Sequence, residues 1–291
     1  MVTPVFKTDI YLVRHGHTVS EGQVLGRDDA ANEGLSKVGQ EEADHLAQVM
    51  QQKQIKPAAI YSSRLRRAIE TAEWVNQLYK HEKIHQKAAL DEIGMGSSER
   101  LTLKEKKEKY QEKQAVIKAE HPDRKERWLY PVVGESMASL HCRVIMQLVS
   151  IAEEHQNEAA FVFTHGKVIA SILADCLDVD EDAPVCMIDH CRVVHLQIEQ
   201  ESDGAQYIQI IDCDWNANTR KHSRHGRDSR GSSLGTSFDD LSRRLISSNA
   251  DTSDARKTSS GTSGVCSSTT SMSASNVRMQ DVGGKKGCTL L

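Results

Sequence analysis

Short apolar runs alternating with helix-patterned sequence restrict this chain more than any other feature. Asp9–Val13, Ala58–Tyr61, Ile84–Leu90 and Ala159–Thr164 each have the length and side chains of a buried strand. Between the first two, Lys37 to about Lys53 places Ala43, Leu46, Ala47 and Met50 on one helical face. Arg64 to about Lys80 does the same with Leu65, Ala68, Ile69, Ala72 and Val75. After Gly134, a longer helix is predicted through Met137, Leu140, Val144, Ile145, Leu148 and Ile151, with Ser136 placed to cap it. Strands alternating with helices predict an α/β fold, a three-layer sandwich around a mostly parallel central sheet. Cys191–Glu199 and Gln206–Cys213 flank a Glu-Ser-Asp-Gly turn and read as a late hairpin.

In an open sheet of this kind, ligands bind beyond the carboxyl ends of the strands. The first strand ends in Arg14-His15-Gly16-His17-Thr18. Neutral imidazole can attack phosphorus, and a neighbouring guanidinium can hold phosphoryl oxygens in a planar fork. Gly16 allows a sharp turn and close backbone approach to a ligand. His165 and the Ser62–Arg67 segment also follow strand ends, and Glu92 follows Ile84–Leu90, so all are expected on one rim of the sheet.

These residues carry a family resemblance. Arg14-His15-Gly16-His17-Thr18 resembles the Arg-His-Gly-x-Thr signature of the histidine phosphatase superfamily, also called phosphoglycerate-mutase-like. Ser62-Ser63-Arg64-Leu65-Arg66-Arg67-Ala68 and the following Thr71-Ala72 are similar to the family's Ser-Ser-x-Leu-x-Arg-Ala-x-x-Thr-Ala. Leu90-Asp91-Glu92, Gly134-Glu135-Ser136 and Phe161-Val162-Phe163-Thr164-His165-Gly166 follow in family order. The resemblance runs from residue 9 to about 219 and implies a phosphoglycerate-mutase-like fold for a catalytic domain of residues 1–219.

It also implies a two-step phosphoryl transfer without metal or cofactor. His15 attacks phosphorus, and Arg14, Arg67 and an imidazolium at His165 bind the phosphoryl oxygens. Glu92 protonates the leaving oxygen and then takes a proton from the hydrolytic water. Thr18 and Gly26 are expected to bind the phosphate or to shape the loop around it. Several positions carry a plainer alternative. Arg67, beside Arg64 and Arg66, has a solvated charge as its lesser reading; Asp91 and Glu99 are substitutes for Glu92; Ser63 reads as a helix cap or a substrate contact.

Family members commonly have an asparagine where this chain has Glu21, and a carboxylate there opposes phosphate binding unless a cation such as Arg27 neutralises it. His81-Glu82-Lys83-Ile84-His85 fits the zinc-protease pattern, but it straddles the end of a predicted helix and the start of a strand, so a solvated connection is expected instead. The Thr102–Ala119 helix is rich in alternating charge and is expected to be solvated. Beyond it, Arg124, Lys125 and Arg127 are candidates for recognising an acidic substrate. The segment between Glu92 and Gly134 is short for a family mutase, which favours hydrolysis and leaves mutase activity as the rival. No kinase P-loop precedes the domain in this chain, so a fused sugar-phosphate kinase is not expected.

Residues 220–291 differ in kind. Arg220, Lys221, Arg224, Arg227 and Arg230 form a basic stretch, followed by sequence rich in serine, threonine and glycine that cannot bury enough apolar surface to fold. Phe238–Ile246 is a short apolar island within this otherwise disordered tail. Cys288-Thr289-Leu290-Leu291 matches the prenylation pattern, and a terminal leucine points to geranylgeranyl on Cys288. One prenyl chain needs a second signal for stable anchoring, and the basic stretch supplies part of one by attraction to anionic lipid.

A net charge of −4 leaves no nucleic-acid footprint. No signal peptide or membrane-spanning run is present, and seven scattered cysteines fit a reducing compartment. The expected protein is a phosphatase with phosphorylated small-molecule, lipid or protein substrates, held at the cytoplasmic face of a membrane. Its rivals are a phosphoglycerate-type mutase and a catalytically weakened phospho-binding scaffold.

Overall fold

The structure, a computed structural model, describes residues 4–20, 22–27, 32–81, 83–202, 204–215 and 288–290. Glu21, nearly all of the tail and Leu291 lie outside the described residues, and with them the questions raised above about Glu21 and about tail disorder.

The strands are β1 (Phe6–Arg14), β2 (Ala59–Ser62), β3 (Ile84–Gln86), β4 (Ala159–Thr164), β5 (Val193–Gln200), β6 (Gln206–Trp215) and the short β7 (Cys288–Leu290). They form one sheet in the order β3-β2-β4-β1-β5-β6-β7. The β3-β2-β4-β1 half is parallel, whereas β5, β6 and β7 run antiparallel to their neighbours. The backbone of Cys288–Leu290 therefore pairs along β6, where an unstructured terminus had been expected. An edge strand offers unpaired backbone groups that such a segment can use.

The helices are α1 (Lys37–Gln52), α2 (Arg66–Tyr79), α3 (Leu103–Glu120), α4 (Arg124–Arg127), α5 (Met137–Glu154) and α6 (Gly166–Leu177). β1 shows why two layers are needed. Ile10 and Leu12 point into a core shared with α5 and α6, while Tyr11 and Val13 point into one shared with α1 and α2. α3 buries no residue, as its charge pattern predicts, and its first turn is closed by a reciprocal capping box between Thr102 and Glu105. Ser36 and Ser136 cap α1 and α5 by accepting from Gly39 N and Ser139 N.

Two expectations are corrected. β3 stops at Gln86: Lys87 N makes the last ladder bond, to Ser62 O, and the chain then enters a 3-10 turn over Ala88–Leu90 that leads into Asp91 and Glu92. α2 begins at Arg66, so Ser63 does not cap it. The candidates for recognising an acidic substrate pair with carboxylates on or beyond α6: Arg124 with Asp178, Lys125 with Asp175 and Arg127 with Asp180. They hold α4 against the domain.

Candidate active site

Strand register builds the site. Arg14 lies opposite Thr164 in the parallel β1–β4 pair, and His15 N donates to Thr164 O at 3.0 Å. His15 and His165 thus leave neighbouring strands at the same level, with ring centroids 5.2 Å apart. Ser62 lies opposite Phe163, which sets Ser63 beside His165.

The bonding of His15 fixes its reactive atom. Nδ1 faces the Gly16 carbonyl oxygen at 2.8 Å. A carbonyl only accepts, so Nδ1 carries the proton and the lone pair is on Nε2. Burial, reinforced by the guanidinium groups of Arg67 and Arg14, holds the imidazole well below the ordinary histidine value and keeps it neutral. Gly16 is required by proximity: a Cβ there would sit 2.7 Å from Gly39 O in the first turn of α1. Its N–H donates to Thr71 Oγ1.

His165 is fully buried at the N-terminus of α6. Its Nε2 meets Ser63 Oγ at 2.7 Å, while Nδ1 has no hydrogen-bond partner. With the Ser63 hydroxyl donating, Nδ1 carries the ring proton and presents an N–H to the site. Burial and the charges of Arg67 and Arg14 also hold this ring well below the usual histidine range. The imidazolium expected from sequence is therefore disfavoured, first by burial and then by the two guanidinium groups nearby.

Arg67 is 1% exposed in the first turn of α2 and donates through Nη2 to the Gly26 carbonyl. The solvated alternative for Arg67 is excluded by that burial, and its neighbours account for their own charges elsewhere. Arg64 forms a two-pronged pair with Asp91, and Arg66 pairs with Glu70. Gly26 N donates to Glu99, and a Cβ at Gly26 would meet Glu99 Oε1 at 2.1 Å and Ile93 O at 2.8 Å. Glu99 and Asp91, the substitutes considered for Glu92, are thus committed to Gly26 and Arg64. Gly26 presents its carbonyl to Arg67, so its place in the site is on the loop wall. Thr18 is buried and bridges to Leu35 through its backbone.

Glu92 is 6% exposed. Its oxygens accept from Ile93 N at 2.8 Å and from Lys167 N, in the first turn of α6, at 3.3 Å. Arg27, considered as a partner for Glu21, lies 3.4 Å from Glu135, while Glu21 is outside the described residues. His81 follows α2 whereas His85 lies in β3, so the zinc-protease pattern has no shared helix. Among the described residues no group of histidine, cysteine and acidic side chains is arranged to hold a metal ion.

Three features were not drawn from the sequence. Ser63 orients His165. Arg143 on α5 donates to the carbonyls of Ala89, Asp91 and Glu92 and pairs with both oxygens of Glu135, tying the Glu92 loop to α5. The Gly-Glu-Ser motif was a partial signal for it, since Arg143 follows Glu135 by about two helical turns. His190, just before β5, contacts Arg14 and had no motif to mark it.

Arg14, His15, Arg67, Glu92 and His165 therefore line one rim, with a lone pair on neutral nitrogen and two guanidinium groups. The family model for the histidine phosphatase superfamily (branch 1) matches residues 10–210. The chain belongs to that superfamily. It is 32% identical over 167 residues to a metal-independent phosphoserine phosphatase of Arabidopsis thaliana, covering 57% of this chain and 67% of that protein. It is 34% identical over 181 residues to the 6-phosphofructo-2-kinase/fructose-2,6-bisphosphatase of Gallus gallus, covering 61% of this chain. The match spans only 34% of that longer enzyme. Among solved structures, Bacillus stearothermophilus YhfR superposes with a TM-score of 0.55 at 26% identity, covering 70% of this chain and 96% of that one. The superfamily and its phosphatase relatives make this chain a phosphatase- or mutase-type enzyme.

Proposed function

We propose that the protein hydrolyses phosphomonoesters through a phosphohistidine formed on His15. The observation that carries this reading is the bond from His15 Nδ1 to Gly16 O, which leaves Nε2 as the only site for phosphoryl transfer. Nε2 attacks phosphorus as the ester oxygen leaves. Arg14, Arg67 and the Nδ1–H of His165 bind the equatorial oxygens, where charge spreads in the transition state. Glu92 protonates the leaving alcohol and next accepts a proton from water, which attacks the phosphohistidine and regenerates the imidazole. Thr18 and Gly26 shape the phosphate loop.

Hydrolysis is favoured over mutase activity by the short segment between Glu92 and Gly134, and the cations of α4 within it pair with Asp175, Asp178 and Asp180. The substrate class extends from small phosphomonoesters to phospholipids and phosphoproteins. A geranylgeranyl group on Cys288, aided by the basic stretch after residue 219, would hold the enzyme at the cytoplasmic face of a membrane and favour substrates there. No described helix is long and apolar enough to cross a membrane.

The test is turnover of an aryl phosphate, with rapid quench to trap phosphoenzyme that is labile in acid and stable in base. Loss of both turnover and trapped phosphoenzyme in His15→Ala is expected. Turnover that survives His15→Ala overturns the reading, and isomerised phosphoglycerate with little free phosphate favours the mutase. Absence of turnover on any phosphoester favours the phospho-binding scaffold. For the tether, Cys288→Ser is expected to release the protein from membranes; unchanged association removes the lipid from the proposal.

A further inference from the structure

In the proposed mechanism Arg14 is one half of the phosphate clamp, and its guanidinium is held by two acceptors. Its Nη1 donates to the Ile188 carbonyl, and its Nη2 lies 2.9 Å from His190 Nε2. Both acceptors come from the loop before β5. That loop is pinned to the end of β1, because Cys191 N donates to Arg14 O at 3.1 Å. Arg14 also lies against the start of α6, its Nε 3.5 Å from where a Cβ of Gly166 would stand.

A guanidinium has no acceptor, so His190 Nε2 must present a lone pair and the ring proton is on Nδ1. The ring packs beside His15 and His17, with centroids 5.5 and 5.6 Å away. Arg14, His15 and His17 face it, and Glu42 stands behind His17, accepting from its backbone N–H. Burial, with the charges of Arg14 and His17, keeps the ring neutral by lowering its pKa to about 3.

We propose that His190 is a positioning residue, which fixes the plane of the Arg14 guanidinium through a neutral acceptor and so sets the affinity for the transferred phosphoryl group. A carboxylate at this position would orient Arg14 just as well, but it would cancel the charge that attracts phosphate. A neutral imidazole orients the guanidinium without placing a negative charge beside it. This inference rests on the phosphoryl-transfer reading and adds a determinant to it.

Titration calorimetry of the full-length chain with inorganic phosphate tests it, using a series at this one position. His190→Gln carries a neutral acceptor and is expected to bind within about threefold of wild type. His190→Ala should bind about tenfold more weakly, the loss of one hydrogen bond to a charged group. His190→Asp, an acceptor with the wrong charge, should bind more weakly still. Steady-state turnover of an aryl phosphate should show the Ala effect mainly in KM. Thermal midpoints check that every variant is folded. Phosphate binding by His190→Asp as tight as by His190→Gln overturns the proposal, as does wild-type affinity in His190→Ala. Arg14→Ala separates the two levels. If it loses phosphate while the His190 series stays flat, only His190 has failed; if it too binds normally, the phosphoryl reading has failed with it.

Discussion

Removing the guanidinium of Arg143 is expected to lower both activity and stability, for reasons that can be separated. Arg143 donates to Ala89 O at 2.7 Å, Asp91 O at 2.8 Å and Glu92 O at 3.1 Å, and reaches both oxygens of Glu135 at 3.0 Å. The side chains of Arg143 and Glu135 are 18% and 6% exposed, so the pair is largely sheltered from water. In Arg143→Met the aliphatic stem remains, but a buried carboxylate and three carbonyls lose their donor. Breaking a buried ion pair by deleting one partner costs roughly 3–5 kcal/mol. Partial exposure of Arg143 and the remaining bonds to Glu135, from Gly94 N, Ser139 Oγ and Arg27, bring the expectation to about 3 kcal/mol. For a domain of this size that corresponds to a fall of roughly 6–12 °C in Tm.

Activity should fall by a different route. Arg143 touches the backbone of the loop that carries Glu92, and a shift of about 1 Å in a catalytic group can cost roughly a hundredfold in rate. The double variant Arg143→Met/Glu135→Gln distinguishes the two effects. It removes the orphaned charge and should regain about half or more of the lost stability, since most of the penalty comes from the uncompensated charge. It does not restore the donors to the loop, so kcat should stay low. Scanning calorimetry and aryl phosphate turnover read the two quantities separately. Wild-type kcat in Arg143→Met would refute the positioning of Glu92, and no recovery of Tm in the double variant would refute the charge argument.

Ser63→Ala removes the partner of His165 Nε2 at 2.7 Å and the acceptor of Leu65 N, so it should reduce kcat by about tenfold and stability by about 1–3 kcal/mol; an unchanged kcat counts against His165 as an oriented donor. Gly26→Ala forces a Cβ against the Ile93 carbonyl, which is backbone and cannot swing away, so the loop should shift off Arg67 at a strain of about 1–3 kcal/mol, read as weaker phosphate binding and a lower Tm. The pH profile carries its own sign. His15, His165 and His190 are held below their ordinary value of 6.5 in the native fold, so on acidification the unfolded chain takes up protons before the folded one does. Stability should therefore be full above 6.5 and decline as pH falls below it, with the His190 contribution exhausted near pH 3, and His190→Gln should flatten that slope in thermal melts. Because the nucleophile is already neutral, kcat/KM should show no acid limb at 6.5; a limb there would mean that His15 titrates as an ordinary histidine.

The sheet was readable because its apolar runs are local and its strand ends carry motifs. β4 spans Ala159–Thr164 as its run predicts, and Arg14, His15 and His165 fall at strand exits because a parallel register places Arg14 against Thr164. Arg67 was ambiguous because three arginines crowd one segment, and only the start of α2 at Arg66 decides which of them turns inward. Arg64 and Arg66 leave for Asp91 and Glu70, while Arg67 is sealed beneath the phosphate loop. His190 and Arg143 reach the site through pairings more than fifty positions away in sequence, Arg14 with His190 and the Glu92 loop with α5, which no local pattern encodes. Protonation is a further step removed. Sequence chemistry placed an imidazolium at His165, yet burial, with the charges of Arg67 and Arg14 beside it, holds that ring well below the ordinary histidine range. In the proposed mechanism the positive charge that meets the phosphoryl group is therefore that of Arg14 and Arg67, and the contacts that orient them, from His190 and Ile188 to Arg14 and from Gly26 to Arg67, are the ones whose loss should weaken phosphate binding.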